Sequence, residues 1–282
     1  MIRLIKTTLH FHTFNKFFFI GAALLLFLGL HNSLSGADSY SIVVMTQGIP
    51  ITCMVVILNA ENEKRSGGYR NKITAGYTIR QVFFSGIISA AACGAALFLV
   101  IGVPIYTSMG SLQTLLTVLM VFVFAAVVSA CLAINLSNIT FTILGLFLII
   151  TVCVVIADPV QSALDADKYN YRYVFDEAKA KQVGIREATT LERTPNAEYP
   201  TGIKRAALKA FAYANPYSQL LYLEDMLNKV EHEVSWKDID DYEYNIHYIV
   251  SREYYFFPLI SAALACAVSA LSYLSYSKKD LR

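Results

Sequence analysis

Residues 81–157 read QVFFSGIISAAACGAALFLVIGVPIYTSMGSLQTLLTVLMVFVFAAVVSACLAINLSNITFTILGLFLIITVCVVIA and contain no Asp, Glu, Lys, Arg or His. An ionised side chain at the centre of a bilayer costs about 2.5–3.5 kcal/mol even on a lenient insertion scale. A soluble helix would instead carry charges along its outer face. This charge-free stretch therefore predicts an integral membrane protein.

The remaining apolar segments extend the same prediction to the whole chain, which is 56% hydrophobic and only 16% charged. A helix that crosses about 30 Å of hydrocarbon needs roughly 20 residues. Six stretches meet this requirement, at about 15–35, 40–60, 82–105, 112–134, 139–157 and 254–275. We therefore expect an all-α integral membrane protein with six transmembrane helices.

The distribution of charge predicts how these spans are oriented. Short cytoplasmic loops of membrane proteins are rich in Lys and Arg. The N-terminal segment, the loop at 61–80 and the C-terminal tail together hold eleven basic and three acidic residues, a net charge of +8. The other side, mainly residues 158–253, holds twelve basic and eighteen acidic residues, a net charge of −6. We expect both termini in the cytoplasm and an extracellular domain between spans five and six.

Two interpretations fit the segment before the first span. It is amphipathic, with the apolar residues Ile2, Ile5 and Leu9 set against Arg3, Lys6 and His10. This pattern predicts an N-terminal interfacial helix. A basic lead, the apolar run 17–30 and the small residues at 35–37 also fit a cleavable signal peptide. Cleavage would leave the rest of the topology unchanged.

The extracellular domain, residues 158–253, is expected to be mainly helical. Asp158-Pro159 is typical of a helix start. We predict helices at 172–182, 202–214 and 218–233, and a loop or hairpin at 183–199. Tyrosines cluster near both membrane junctions, which indicates an aromatic belt and domain core or a surface that gates a pathway. All five cysteines lie in apolar segments, so no disulfide is expected in this domain.

The loop between spans two and three, residues 61–80, reads ENEKRSGGYRNKITAGYTIR and continues into QVFFS at 81–85. Glu61 can pair with Arg65 one helical turn later. Gly67 and Gly68 should break the helix. A short helix at 69–75 should follow, with Gly76 as its stop. On charge alone this is an ordinary basic cytoplasmic loop.

The order of residues in this loop resembles that of type-2 ABC-transporter permeases. That family shows a Glu, then a Gly-x-x-Arg-Asn-Lys-like stretch, then Gly-x-Ser-Arg before an apolar span. The matching stretch covers about 25 residues. Six spans, an interfacial N-terminal helix and an enlarged outer loop extend a weaker similarity to the whole chain. One departure is that Ile79 follows Thr78, so the basic residue comes one place later, at Arg80.

The resemblance implies that this loop is a coupling helix docked in a groove of a separate cytoplasmic ATPase, which would bind ATP and Mg²⁺. In that reading Arg70 and Lys72 meet acidic residues at the groove rim, and Tyr69, Ile73 and Tyr77 supply the buried contact. The resemblance also implies a bacterial plasma-membrane exporter of peptides, antibiotics or lipid-like compounds, paired with a second permease copy or a related permease. No nucleic acid is expected as a partner. The full set of candidate coupling residues is Glu61, Glu63, Arg65, Gly67, Tyr69, Arg70, Lys72, Ile73, Gly76, Tyr77 and Arg80.

Other functions have less support in the sequence. The P-loop signature is absent, and Gly-Lys never occurs, so any ATP must be bound by another chain and no cofactor is expected in this one. His232-Glu233 begins like a zinc-protease motif but lacks the second His. The predicted spans also hold no ionisable groups at mid-membrane, which disfavours proton coupling. A non-transporting immunity or sensor protein that binds a ligand with its outer domain remains an alternative, as does a membrane-embedded enzyme.

Overall fold

The computed structural model describes residues 1–34, 40–105, 112–166, 168–175, 189–228, 230–238, 241–248 and 255–278. Within these ranges the chain forms ten helices and four strands. In chain order they are α1 (Ile2–Thr13), α2 (Lys16–Leu34), α3 (Tyr40–Arg65), α4 (Gly68–Thr74), α5 (Ile79–Ile105), α6 (Leu112–Asn135), α7 (Ile139–Asp165), β1 (Tyr169–Phe175), β2 (Thr189–Pro195), α8 (Gly202–Ala214), α9 (Pro216–Asn228), β3 (Val230–Asp238), β4 (Asp241–Tyr248) and α10 (Phe257–Tyr276).

Four helices of the described chain are long and apolar enough to cross a membrane. They are α5 over Ile79–Gly102, α6 over Leu112–Asn135, α7 over Ile139–Leu164 and α10 over Phe257–Tyr276. Helices α1 and α2 together make a fifth candidate, bent by 60° at the break between them. The prediction of a mostly helical chain with apolar, membrane-length helices is therefore confirmed.

The break between α1 and α2 has a local cause. The Asn15 side chain accepts hydrogen bonds from the backbone N–H groups of Phe17 and Phe18, at 2.9 and 3.0 Å. An Asn in this role caps the start of a new helix. Helix α1 is amphipathic and buries Leu4, Thr8 and His12. The predicted separate helix before the first apolar segment is thus present.

Small residues bring neighbouring helices of the bundle close together. A Cβ atom added to Gly94 in α5 would lie 2.6 Å from the Ala126 Cβ in α6 and 3.1 Å from the Phe122 carbonyl oxygen. Next to this contact the Phe98 and Phe122 rings meet edge to face, with centroids 5.5 Å apart. Close approach through small residues is the usual way helices associate in lipid, where no hydrophobic driving force acts between them.

Helices α5 and α6 form the centre of the bundle, and α7 and α10 lie at its edge. Buried residues make up 56% of the apolar windows of α5 and α6, but only 11% of that of α7 and 22% of that of α10. On α7, large apolar side chains such as Leu148 and Val155 are 66% and 63% exposed. These faces suit a lipid environment, because exposed apolar surface of this size is unfavourable in water.

The described part of residues 158–253 contains strands as well as helices, so the all-α prediction is wrong there. β1 pairs antiparallel with β2, with Tyr169 opposite Pro195, and β3 pairs antiparallel with β4, with Val230 opposite Tyr248. The predicted helix 202–214 is confirmed as α8. The predicted helix 172–182 is instead strand up to Phe175, and its remainder lies outside the described residues. The predicted helix 218–233 ends at Asn228, and β3 begins at Val230.

The physical reason for this correction is the alternation of residue types. β1 reads YNYRYVF and β4 reads DYEYNIHY. Tyrosine recurs at every second position in both segments, which matches the two-residue period of a strand, and aromatic and β-branched residues favour strands. The predicted loop or hairpin at 183–199 contains strand β2, which pairs with β1 outside that range; residues 183–188 are not among those described.

Helix α9 is attached to the membrane-length helices by specific hydrogen bonds. The Asn215 amide donates to the Cys153 carbonyl oxygen of α7 at 2.8 Å. The Ser261 hydroxyl of α10 donates to Gln219 Oε1 at 2.9 Å, in a buried position. The Phe257 ring packs on Tyr213, with centroids 5.4 Å apart. Helices α8 and α9 are therefore part of the same packed body as the bundle.

Candidate functional site

The loop that carries the sequence motif folds as predicted at the level of the backbone. Helix α3 continues to Arg65, whose Nε donates to Glu61 Oε1 at 3.2 Å. Gly67 has a φ of 72°, in the left-handed region that ends a helix, and α4 starts at the next residue. Gly76 has a φ of 89° and follows the end of α4. Because this conformation is unfavourable for residues with a Cβ, both glycines have a structural role.

A buried ion cluster joins α4 to α1 and α3. The Glu63 carboxylate accepts a hydrogen bond from His12 Nε2 of α1 at 3.2 Å, and its other oxygen pairs with the Lys72 ammonium of α4. Lys72 Nζ also donates to the Thr8 hydroxyl at 2.8 Å. Thr8, His12 and Glu63 are 1%, 2% and 3% exposed. We call His12, Glu63, Lys72 and Thr8 the ion cluster.

A second set of contacts surrounds the ion cluster. The fully buried Asn59 amide donates to the His12 carbonyl oxygen at 3.0 Å. Lys64 Nζ donates to the Leu136 carbonyl oxygen, at 2.6 Å, which ties α3 to the turn between α6 and α7. The hydroxyl groups of Tyr69 and Tyr276 are also buried and have no hydrogen-bond partner among the described residues. At this end of the bundle the interior therefore contains polar groups, as the surface does.

The charges of the cluster act on each other strongly because they are shielded from water. Burial alone would raise the pKa of Glu63, but the hydrogen bond from His12 and the charge of Lys72 outweigh burial and lower this pKa below its ordinary value. Burial, with the negative charge of Glu63 nearby, raises the pKa of Tyr69 well above its ordinary value. Glu63 is therefore an anion and Tyr69 a neutral phenol at neutral pH.

Gly68 allows α4 to approach the cluster. A Cβ atom at this position would lie 2.7 Å from Glu63 Cγ and 3.0 Å from the Glu63 carbonyl oxygen. Contacts that short do not occur between real side chains, so a larger residue would push the start of α4 away from α3. The pair Gly67-Gly68 thus does two things: the first residue turns the chain and the second permits close packing.

Some of the predicted coupling residues face the helix bundle, and others face solvent. Tyr69 packs against the hydrophobic core, and Lys72 belongs to the ion cluster. Ile73 is half-buried and Arg70 is exposed. Tyr77 lies beyond the end of α4 at Thr74, so it does not continue a helical face with Tyr69 and Ile73.

The other predicted coupling residues lie before and after α4 in the chain. Glu61 is half-buried and forms ion pairs with Arg65 and Lys64, at 3.2 and 3.8 Å. The Arg65 side chain is 69% exposed. Arg80 is exposed, with its guanidinium 6.0 Å from the centre of the Phe84 ring. Arg65, Arg70 and Arg80 are therefore the guanidinium groups that this loop presents outward.

His12, Thr8 and Asn59 were not among the predicted site residues. Of these three, Asn59 could have been recognised from the sequence, because it is an amide near the end of an apolar segment, and a buried amide needs a hydrogen-bond partner. His12 and Thr8 fall on the buried face of α1, together with Leu4. Their pairing with α3 and α4 depends on how α1 lies against the bundle, and no local sequence pattern encodes that.

An apolar cavity lies toward the opposite end of the bundle. It has a volume of about 130 Å³ and is bounded by α3, α6, α7 and α9, with Cys53, Val128, Ile150 and Tyr217 among its lining residues. An apolar cavity of this size is suited to a small hydrophobic group rather than to water.

No family model matches this chain, and no curated protein or solved structure matches it. Within the described ranges, no group of three or more His, Cys, Asp or Glu residues is arranged to hold a metal ion.

Proposed function

We propose that this chain is the transmembrane permease subunit of an ATP-binding-cassette exporter, driven by a separate cytoplasmic ATPase. In this proposal the chain crosses the plasma membrane six times, through α2, α3, α5, α6, α7 and α10. Both termini and α4 are cytoplasmic, and the region with β1–β4 is outside. The charge difference between the two sides and the resemblance of residues 61–85 to type-2 ABC permeases support this topology.

The observation that carries the proposal is the two-sided position of α4. Lys72 holds its inner side to α3 through the ion pair with Glu63 and to α1 through the hydrogen bond to Thr8, and Tyr69 packs against the core. Its outer side presents Arg70 to solvent. A force applied to the outer side would therefore reach two bundle helices directly. Energy coupling by a separate motor requires a rigid connection of this kind.

The inward position of Tyr69 and Lys72 changes which residues would meet the ATPase. In this proposal Arg70 takes the place of Tyr69 as the central contact, and Arg65, which is also exposed, is a second contact. Arginine is common at interface hot spots, since its planar guanidinium binds carboxylates with two hydrogen bonds. The proposed partner surface is accordingly acidic, and ATP and Mg²⁺ would be bound by that partner. The second partner is another permease copy or a related permease.

The apolar cavity supports a hydrophobic cargo. Its lining includes residues of α3 and α7, which are proposed spans, and of the outer helix α9. A substrate in this cavity would contact mainly apolar side chains. Peptides, antibiotics or lipid-like compounds with a hydrophobic part fit this environment.

The test is co-purification with a P-loop ATPase, which the proposal predicts to be encoded next to the gene for this chain. The tagged chain should capture that ATPase and stimulate ATP hydrolysis in liposomes. Arg70→Glu should weaken the complex about ten-fold or more, as expected for an interface arginine worth about 2 kcal/mol.

Lys204→Glu in α8 is the matched control, because it reverses an exposed charge at the opposite end of the molecule. It should leave both capture and stimulation unchanged. The proposal would be contradicted if Arg70→Glu and Lys204→Glu had equal effects, or if the chain never captured the ATPase. Either result would favour a non-transporting sensor or immunity protein.

A further inference from the structure

An apolar groove runs along the outer side of α2 and α3. It has a volume of about 300 Å³, and every residue that lines it is apolar. The lining residues are Phe17, Ile20, Gly21, Leu24, Pro50, Ile51, Met54, Val55 and Leu58. The volume is at the lower end of the range of small-molecule pockets, about 300–1,000 Å³. The groove is therefore large enough to hold part of a hydrocarbon chain.

Gly21 creates the depth of this groove. A Cβ atom on Gly21 would lie 2.3 Å from Val55 Cγ2, so only glycine allows α2 and α3 to approach this closely here. The segment from Phe17 to Leu24 rises roughly 10 Å along the helix axis. The groove is thus elongated parallel to the helices, in the direction in which lipid chains lie.

A basic side chain stands at one end of the groove. Lys16 is exposed, and its ammonium lies 5.3 Å from the centre of the Phe17 ring, which is itself part of the lining. No ion pair of Lys16 is found among the described residues. Lys16 is also the first residue of α2, at the 60° bend from the amphipathic α1. A helix bend of this kind is expected at the boundary between headgroups and hydrocarbon.

We propose that this groove is a binding site for an anionic phospholipid, with one acyl chain between α2 and α3 and the headgroup phosphate against Lys16. The groove is complementary to both parts of such a lipid. Its apolar lining matches the acyl chain, and the Lys16 ammonium, at the headgroup level, matches the phosphate. Basic positions between membrane helices are established sites for anionic headgroups. A zwitterionic lipid could fill the groove, but its net-neutral headgroup would gain less from Lys16.

This inference rests on the proposed membrane position of α2 and α3, and it does not depend on an ATPase partner. The chain has a single tryptophan, Trp236, which makes a fluorescence test direct. Trp236→Phe combined with Leu24→Trp places the only indole in the groove. The purified full chain is reconstituted in vesicles that contain brominated phosphatidylglycerol or brominated phosphatidylcholine, since bromine quenches a tryptophan that it touches.

The expected result is a relative affinity for phosphatidylglycerol about five-fold above that for phosphatidylcholine, the effect of one basic residue at an anionic membrane surface. Lys16→Ala should abolish this preference, and high salt should weaken it. Lys6→Ala should retain it, because Lys6 is an exposed cation of α1 outside the groove.

Leu148→Trp is the control for general lipid contact. Leu148 is 66% exposed on α7 and lies at a similar distance from its helix start as Leu24 does. The tryptophan at position 148 should be quenched equally by both lipids. Equal quenching at Leu24→Trp would overturn the site while leaving the topology in place. Absence of quenching there by either lipid would overturn the site together with the membrane position of α2.

Discussion

His12 Nε2 and Glu63 Oε2 lie 3.2 Å apart, although 51 positions separate the two residues in the chain, and both side chains are almost fully buried. The contact holds α1 against the end of α3, and Lys72 extends it to α4. A buried carboxylate is stable only when its charge is compensated. The three helices at this end of the bundle therefore depend on one another.

Removal of the Glu63 carboxylate should destabilise the protein strongly. Glu63→Ala leaves Lys72 and His12 near each other without their anion. Breaking a buried ion pair costs about 3–5 kcal/mol. The expected result is a loss of this size in the free energy of unfolding, measured by denaturant titration in detergent.

Glu61→Ala provides the comparison on the same helix. Glu61 pairs with Arg65, whose side chain is 69% exposed, and exposed pairs contribute about 0–1 kcal/mol. Similar losses for the two variants would show that the ion cluster does not hold the three helices together.

The contribution of Glu63 should also depend on pH in a defined direction. Its pKa is lowered in the folded state, so the unfolded chain binds the proton more readily. The stabilisation is complete above the unfolded carboxyl pKa of about 4.3 and is lost as pH falls through the lower folded-state value. The measurement is the unfolding free energy of the wild type minus that of Glu63→Ala between pH 3 and pH 7.

This difference should stay constant from pH 7 to about pH 5 and shrink in more acidic solution. A difference that grows as the pH falls would mean that Glu63 is protonated in the folded protein, contrary to its position between His12 and Lys72.

Two glycines in membrane-length helices should respond oppositely to the same substitution. Gly94→Ala places a Cβ 2.6 Å from the Ala126 Cβ, and overpacking of this kind costs about 1–3 kcal/mol. At Gly145 in α7 nothing lies within 4 Å of an added Cβ. Gly145→Ala should therefore be neutral or stabilising by up to about 1 kcal/mol.

Thermal unfolding of the two variants in the same detergent decides between these expectations. A neutral Gly94→Ala would show that α5 and α6 are not in close contact at this level.

The start of α5 should depend on a reciprocal pair of hydrogen bonds. The Thr78 hydroxyl accepts from the Gln81 N–H at 3.2 Å, and the Gln81 side chain accepts from the Thr78 N–H at 3.0 Å. This is a capping box, and loss of the capping hydroxyl costs about 0.5–2 kcal/mol. Thr78→Ala should lower the unfolding free energy by that amount.

The coupling between the two residues is measurable in a double-mutant cycle. Thr78→Ala combined with Gln81→Ala should cost less than the sum of the single changes, because the residues share one motif. Strict additivity would show that the two bonds form independently.

The sequence by itself determined the features that depend on local spacing and on the exclusion of charge. Residues 81–157 predicted membrane-length helices because no charge interrupts them. Glu61 and Arg65 pair as predicted, since the helix period places residues four apart on one face. Gly67 and Gly76 mark the bounds of α4, because the left-handed conformation there favours glycine.

The tertiary structure decided everything that depends on residues distant in the chain. The inward position of Lys72 follows from its contacts with Glu63 of α3 and Thr8 of α1, and that of Tyr69 follows from packing against the hydrophobic core. No local period encodes these contacts. Strands β1 and β3 replace parts of the helices predicted at 172–182 and 218–233, because strand pairing is formed with a partner segment and overrides a local helical pattern. Helical periodicity specifies which face of a segment is apolar, whereas only packing specifies what that face meets.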